Sequence, residues 1–224
     1  MNKFKKSQPN VLILHRLGDP LKQREAVRTL ELMFQSERSD FNILSIDAQL
    51  PLPFGIKFLD IDIIIIGPTF FGARYNSRKF IKFKQRFSFL TNSKSIKIGL
   101  PQDEYDCSKI LDDWLVDMKI DIVYSVLKDC WDIIYPKFQK VGKLQFGYTS
   151  YIPDDWVLKW ANPKSYEDRE IDVSYRAKHL PENFGRLGQL KYLIAEKFKN
   201  SIIVTNVEGT KKINTRVFDV IKFS

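Results

Sequence analysis

The feature that most constrains this fold is the alternation of short, continuous β-branched runs with longer amphipathic stretches. The clearest run, four consecutive isoleucines at Ile63–Ile66, predicts a central strand that is buried on both faces. Parallel strands need crossover connections, which are usually helices, so the sequence predicts a doubly wound, mostly parallel, Rossmann-like α/β sheet. The predicted strands span residues 11–14, 41–47, 60–67, 95–100, 121–127 and 143–152.

The stretches that follow most of these strands have the apolar spacing of amphipathic helices. The stretch after the central strand is the most regular, because Phe80, Phe83, Phe87 and Leu90 fall on one helical face. We expect that face to pack against the sheet. The predicted helices span residues 20–37, 77–90, 107–118 and 128–138.

The regular alternation stops near residue 153. Residues 154–170 carry two tryptophans and many charges without a clear period, which indicates a linker. We therefore predict an N-terminal Rossmann-like domain over residues 1–153 and a second, incomplete α/β unit over residues 171–224. The predicted elements of that unit are a strand at 171–177, a helix at 188–200 and a strand at 201–207.

The composition narrows the partners of the chain without selecting one. The 224 residues carry a formal net charge of +9, which favours an anionic partner such as nucleic acid, a membrane surface or a phosphorylated ligand. Specific nucleic-acid binding is the weakest of these, because the basic residues are spread over many helices without an aromatic stacking motif. Only two cysteines are present, and no apolar run approaches a membrane span. We expect a cytoplasmic protein with peripheral contact to the inner membrane face as an option.

Several ligand motifs are missing from the sequence. Glycine is scarce, and no glycine-rich loop follows a strand in the pattern of dinucleotide enzymes or P-loop NTPases. The two cysteines have no nearby histidine, so they do not predict a zinc site. Asp60-Ile61-Asp62 has the D-x-D shape of a metal site but precedes its strand, at the end away from the usual ligand crevice. We therefore predict neither a bound metal nor a cofactor.

Polar residues follow the predicted strands at their carboxyl ends, where open α/β sheets bind ligands. His15 and Arg16 follow the first strand, and Thr69 lies in the turn after the central strand. His15 could act as a general base, because imidazole titrates near neutrality, or could be a hydrogen-bonded structural residue. Loops favour polar residues regardless of function, so this rim is a hypothesis for a substrate site that includes Arg16 and Thr69.

The most informative cluster is Gln102-Asp103-Glu104-Tyr105, directly after a buried strand. Carboxylates there can act as a general base or accept hydrogen bonds from sugar hydroxyls. The competing explanation is a helix N-terminus, where Asp106 would cap the helix that starts at Cys107. That cap leaves Asp103 unexplained. We predict Asp103 or His15 as the base or acceptor-orienting group, with Gln102, Glu104 and Tyr105 in the substrate site.

The predicted second unit offers a site for a diphosphate. Arg176 lies near a strand end, and Gly188 and Lys191 stand at the start of the next helix. Arginine makes bidentate contacts to phosphate, lysine adds a charge and a helix N-terminus adds free N–H donors. The alternative is a solvated basic surface, which is common in a chain of this net charge.

Several ordered motifs between residues 62 and 198 resemble the cytoplasmic glycosyltransferases of the two-domain GT-B type, especially spore-maturation and capsule-synthesis sugar transferases. After the Q-D-E-Y cluster come an I-D-x-V-x-S strand and a Tyr-Pro pair. A Gly-Tyr segment with three inserted residues follows, and then R-x-I-D-V-x-Y-R-A-x-x-L-P and G-x-x-G-x-x-K. These motifs stand at residues 102–105, 120–125, 135–136, 147–153, 169–181 and 185–191.

The resemblance implies that the first sheet binds an acceptor and the second binds a nucleotide-sugar donor, with Arg176 and Lys191 holding the donor diphosphate. The expected reaction is metal-independent transfer of a hexosyl group to a glycan, lipid-linked or protein acceptor. The donor-binding acidic residue of the family has no counterpart, and a full donor domain would continue beyond Val207. Two alternatives therefore remain. The chain could be a truncated enzyme that is inactive as this short chain, or it could be a non-catalytic binding or scaffold module derived from a glycosyltransferase.

Overall fold

The protein is described by a computed structural model that covers residues 8–19, 25–32, 40–148, 154–160, 173–178 and 205–210, with isolated residues at 162, 165, 167, 168, 186, 189, 190, 193 and 197. The chain divides into two compact units. Unit 1 comprises residues 1–21 and 26–151, and unit 2 comprises residues 22–25 and 152–224.

Unit 1 contains a six-stranded sheet in which all neighbouring strands are parallel, in the order β2-β1-β3-β4-β5-β6. This confirms the predicted doubly wound, Rossmann-like α/β fold. The isoleucine strand pairs with β1 on one side and β4 on the other, at the centre of the sheet, as predicted. The strands are β1 (Asn10–His15), β2 (Asn42–Asp47), β3 (Ile63–Ile66), β4 (Ile96–Gly99), β5 (Ile122–Ser125) and β6 (Lys143–Phe146).

Residues on opposite faces of the central strands pack into different clusters, because side chains alternate along a strand. Leu12 and Ile64 belong to the main core, which the helices after β3 and β4 cover, whereas Ile13 and Ile65 belong to a smaller cluster on the other face. Burial on both faces is why these strands are continuously apolar. The α-helices in the described part of unit 1 are α1 (Glu25–Leu32), whose first residue falls in unit 2, α2 (Pro68–Phe71), α3 (Ser77–Arg86), α4 (Ser108–Asp117) and α5 (Trp131–Ile134).

The predicted apolar face of residues 77–90 lies in the main core. Phe80 contacts Trp114 of α4 edge to face, with ring centroids 4.8 Å apart. The ring centroids of Phe83 and Phe87 are also 4.8 Å apart. The helix ends earlier than predicted, at Arg86, and residues 88–92 form a 3₁₀ turn that still buries Leu90. The periodicity therefore predicted the packing correctly but not the change of helix type.

The start of α4 differs from the sequence prediction. The helix begins at Ser108, and the residue before it, Cys107, adopts a left-handed conformation with φ of 52° and no side-chain cap. Asp106 is therefore not the N-cap that we predicted. Its carbonyl instead accepts a hydrogen bond from Arg74 Nε at 3.0 Å, so the loop is held by a buried arginine rather than by a helix cap.

The described part of unit 2 includes helix α6 and two strands. Helix α6 (Asp154–Trp160) occupies the first half of the predicted linker, and two acidic residues at its start favour the positive end of a helix. Strands β7 (Val173–Lys178) and β8 (Thr205–Thr210) are parallel neighbours, as a βαβ unit requires. Residues 201–204, the start of the second predicted strand, lie outside the described residues.

Candidate functional site

The strand order reverses between β1 and β3, since the chain adds β2 on one side of β1 and every later strand on the other. Open α/β sheets bind ligands outside the carboxyl ends of the strands at such a switch point. Two of the predicted rim residues meet there: the Arg16 N–H, directly after β1, donates to Thr69 Oγ1 in α2 at 2.7 Å. The sequence thus predicted correctly that these two residues share one edge of the sheet.

A third residue, Glu31 of α1, completes this junction. Its Oε1 accepts hydrogen bonds from the Thr69 backbone N–H at 2.7 Å and from the Thr69 hydroxyl at 2.5 Å. Glu31 is only 2% exposed, and its second oxygen, Oε2, finds no hydrogen-bond partner within the described part of the chain. A buried, half-satisfied carboxyl group is unusual, because buried polar atoms are normally hydrogen-bonded.

Gly67, at the end of β3, makes room for this carboxyl group. A Cβ atom on Gly67 would lie 1.8 Å from Glu31 Oε2 and 2.5 Å from Glu31 Cδ, so any side chain there would displace the carboxyl group. The backbone of Gly67 is extended, with φ of −78°, which any residue can adopt. Space rather than backbone conformation therefore requires glycine at this position.

Burial raises the pKa of Glu31 from 4.5 to about 7. The two hydrogen bonds from Thr69 favour the ionised form and oppose this effect, whereas the negative charge of Asp47 adds to it. Both protonation states of Glu31 are consequently populated near neutral pH. Carboxyl groups with such a pKa are matched to proton transfer at physiological pH.

Asp47, at the end of β2, organises the loop after β1. Its Oδ2 accepts from the Gly18 N–H at 2.6 Å, and its Oδ1 accepts from the Gln49 N–H at 2.8 Å. Gln49 Nε2 in turn donates to the Arg16 carbonyl at 3.1 Å. These contacts fix the backbone around Arg16 and therefore the N–H group that reaches Thr69.

His15 has protein partners on both ring nitrogens. The Leu17 N–H donates to Nδ1 at 3.4 Å, which leaves the hydrogen on Nε2, 3.1 Å from Ser45 Oγ. Burial lowers the pKa of His15, and the nearby Asp47 opposes this only in part. The neutral, hydrogen-bonded ring fits the structural alternative for His15, and the catalytic role stays a prediction.

The Q-D-E-Y cluster is built around the guanidinium group of Arg74, which is 1% exposed. Its Nη2 donates to the carbonyls of Gln102 at 3.0 Å and Asp103 at 2.8 Å. Asp103 has a left-handed backbone with φ of 50° and is exposed, as is Tyr105. Gln102 and Asp103 therefore contribute backbone groups to the fold, and the side chain of Asp103 stays at the surface.

Glu104 faces the inside of the protein and does not present a carboxylate to a ligand. It is 1% exposed, and its oxygens accept hydrogen bonds from the Val126 N–H at 3.1 Å and from the Tyr135 hydroxyl. Its burial corrects the expectation that Glu104 is part of a solvent-facing substrate site. The residue instead ties the loop after β4 to the end of β5 and the helix that follows.

The structure describes only part of the site that was predicted for the donor diphosphate. Arg176 lies in β7, two residues before its end, and pairs in register with Glu208 of β8. Gly188 and Lys191 lie outside the described residues. The diphosphate site built from these three residues stays a prediction.

No protein-family model, curated protein or solved structure matches the chain. Within the described ranges, no group of three or more histidine, cysteine, aspartate or glutamate residues is placed to hold a metal ion. In the same part of the chain, no helix is both long and apolar enough to cross a membrane.

Glu31 was not predicted as a site residue, although the sequence carries a signal for it. Val27, Leu30 and Glu31 stand at positions i, i+3 and i+4, and all three are buried on the inner face of α1. A glutamate on the apolar stripe of a helix is rarely buried unless it has a specific partner. The partner, Thr69, is 38 residues away in sequence, which only the fold reveals.

Proposed function

We propose that the chain is a glycosyltransferase that moves a hexosyl group from a nucleotide sugar to a hydroxyl-bearing acceptor, and that the switch-point edge of unit 1 holds the acceptor. The observation that carries this proposal is the junction of Arg16, Glu31 and Thr69 at the reversal of strand order. The junction combines a hydroxyl group, which can bind an alcohol, with a carboxyl group, which can accept its proton, and the backbone holds both in place.

The resemblance of residues 62–198 to GT-B sugar transferases supports the same reaction from the sequence side. In this proposal Arg176, Gly188 and Lys191 of unit 2 hold the donor diphosphate. The positive charges of Arg176 and Lys191, together with a helix N-terminus, would neutralise the diphosphate leaving group, so that the reaction needs no metal ion. The reaction then joins an acceptor oxygen to the anomeric carbon as the bond to the diphosphate breaks.

Exposed apolar side chains support a lipid-linked acceptor and peripheral membrane contact. The loop between β2 and β3 exposes Phe54 completely and Phe58 almost completely, with exposed Lys57 between them. Aromatic side chains insert into the boundary between headgroups and acyl chains, and lysine favours anionic lipids. This loop would bring unit 1 to the cytoplasmic surface of a membrane.

A non-catalytic binding module is the second candidate, and the burial of Glu104 favours it. The Q-D-E-Y cluster is the most informative motif of the resemblance, yet Glu104 holds two strand ends together and Arg74 binds the backbone of its neighbours. A protein could keep such a motif for its fold alone. The two candidates differ in whether a nucleotide sugar is consumed.

The test follows nucleoside diphosphate release when the chain is incubated with UDP-, GDP- and dTDP-sugars and a mixture of glycosides. We expect release that depends on the acceptor and falls in the Arg176→Ala variant. Calorimetry with UDP and GDP measures donor binding separately. Binding without release would favour the binding module, and the absence of both would refute the transferase proposal.

A further inference from the structure

The Thr69 hydroxyl group has one unused hydrogen-bonding position. A hydroxyl group donates one hydrogen and accepts at two lone pairs. Thr69 donates its hydrogen to Glu31 Oε1 at 2.5 Å and accepts one from the Arg16 N–H at 2.7 Å. No hydrogen bond from a described residue fills the second lone pair, and Thr69 is half-buried at the carboxyl edge of the sheet.

The carboxyl group behind Thr69 is arranged in a way that its structural role does not require. Both contacts with Thr69 use Oε1, while Oε2 is buried against Gly67 without a hydrogen bond from the described residues. A neutral glutamine could keep both contacts to Thr69 without the burial of an ionisable group. Buried groups that lack a structural reason of this kind are candidates for function.

We propose that Thr69 and Glu31 form a proton relay for a ligand hydroxyl group, in which a sugar or polyol donates to Thr69 Oγ1 and Thr69 passes its own hydrogen to Glu31 Oε1. The relay rests on the proposed function, since it names the group that receives the acceptor's proton. Thr69 contacts the ligand, and Glu31 is a positioning residue that acts through Thr69.

In the transfer step, the relay accounts for the proton that the ligand hydroxyl group loses. The ligand oxygen forms a bond to the anomeric carbon of the donor, and the bond from that carbon to the diphosphate oxygen breaks, with its electron pair leaving on the diphosphate. The ligand proton moves to Thr69 Oγ1 while the Thr69 proton moves to Glu31, whose carboxylate becomes a carboxylic acid. Because Glu31 is buried, its proton returns through the Thr69 hydroxyl group to solvent once the product has left.

The groups around Glu31 suit this cycle at neutral pH. Burial keeps its pKa at about 7, so the carboxyl group can accept and release a proton without a large free-energy change. Asp47 at the end of β2 raises this pKa, and His15 at the end of β1 is coupled to Asp47. Arg16 faces Thr69 with its backbone N–H, and neither Gly67 nor Thr69 itself carries a titratable side chain.

The test measures the binding of methyl glycosides by ligand-observed NMR between about pH 5 and pH 9, without any nucleotide sugar. We expect affinity to rise with pH through about 7, because ionised Glu31 accepts more strongly from Thr69 and so makes Thr69 a better acceptor. Thr69→Val should weaken binding about tenfold, Thr69→Ser should retain it, and Glu31→Gln should bind without the transition near pH 7.

Three outcomes would overturn the relay. The first is that the wild-type chain binds no methyl glycoside at millimolar concentration. The second is that Thr69→Val binds with unchanged affinity, and the third is that the affinity of Glu31→Gln still changes near pH 7. The carboxyl ¹³C shift of Glu31 in labelled protein supplies its titration directly, and a midpoint that stays near 4.5 would also exclude the relay. Glycoside binding with the expected pH dependence but no sugar transfer would refute the transferase proposal alone.

Discussion

Replacement of Glu31 by glutamine should make the stability of unit 1 less dependent on pH. The folded protein holds the Glu31 proton more tightly than the unfolded chain, because burial raises its pKa from 4.5 to about 7. Below about pH 4.5 both states are protonated and the carboxyl group has no effect on the pH dependence. As pH rises towards 7, the unfolded chain releases the proton first, so the free energy of unfolding falls.

The size of this effect follows from the two pKa values. At about 1.4 kcal/mol for each tenfold change in the ionisation constant, the difference corresponds to about 3 kcal/mol. Solvent screening does not reduce it much, since Glu31 is 2% exposed. The wild-type chain should therefore lose about 3 kcal/mol relative to Glu31→Gln between about pH 4.5 and pH 8, and little more above that range.

Guanidinium unfolding of both chains at a series of pH values measures this difference. The tryptophan fluorescence of the chain reports the transition, and Trp114, which stacks on Phe70 with ring centroids 5.5 Å apart, contributes the signal from the core of unit 1. His15 also titrates in this range, but its contribution is common to both chains and cancels in the difference. Asp113→Asn, which removes an exposed carboxylate, is the control and should change stability little at any pH.

A difference between the wild-type chain and Glu31→Gln that stays constant across the range would show that folding does not raise the pKa of Glu31. It would mean that Glu31 titrates equally in the folded and unfolded states, and hence that the carboxyl group is reached by water or by a cationic partner. The opposite slope would mean that the ionised form is the one stabilised by folding.

Three further predictions test other contacts. Gly67→Ala should destabilise unit 1 by about 1–3 kcal/mol, because the added methyl group clashes with the Glu31 carboxyl group. In a Glu31→Ala background the same change should cost less than about 0.5 kcal/mol. Denaturation of the wild-type chain, the two single variants and the double variant measures this coupling. Asp106→Ala should change the free energy of unfolding by less than about 0.5 kcal/mol, since its side chain caps no helix. Phe54→Ser should weaken co-sedimentation with anionic vesicles about tenfold, whereas Ile133→Ser, another exposed apolar residue, should not.

The centre of the sheet could be predicted because its two central strands, β1 and β3, are buried on both faces. Only a continuous apolar run satisfies two packed faces, so Ile63–Ile66 identifies the central strand without knowledge of its neighbours. Helix α6 was not predicted, because its seven residues are too few to establish a period among so many charges. The same limit applies to the turn before α4, where the hydrogen bonds of Arg74 replace the cap that local sequence suggests.

The site could be predicted only as far as the strand ends determine it. His15, Arg16 and Thr69 follow parallel strands, and this alone places them at one edge of the sheet. The direction of a loop side chain is not set by alternation, which is why the sequence suggested a substrate contact for Glu104 and did not predict that its side chain is buried. Glu31 depends on the close approach of α1 to Gly67, a contact between residues far apart in sequence.

The strand order also determines how the sheet can be assembled while the chain is being synthesised. Strand β3 docks on the side of β1 that β2 leaves free, and each later strand, from β4 through β6, docks beside the strand made immediately before it. The N-terminal strands are made first during translation, so this order would let the nascent sheet grow at one edge without waiting for a later partner. The junction of Arg16, Glu31 and Thr69 can form as soon as α2 has left the ribosome, before β4 exists. The candidate site would then be among the first parts of each new molecule to fold.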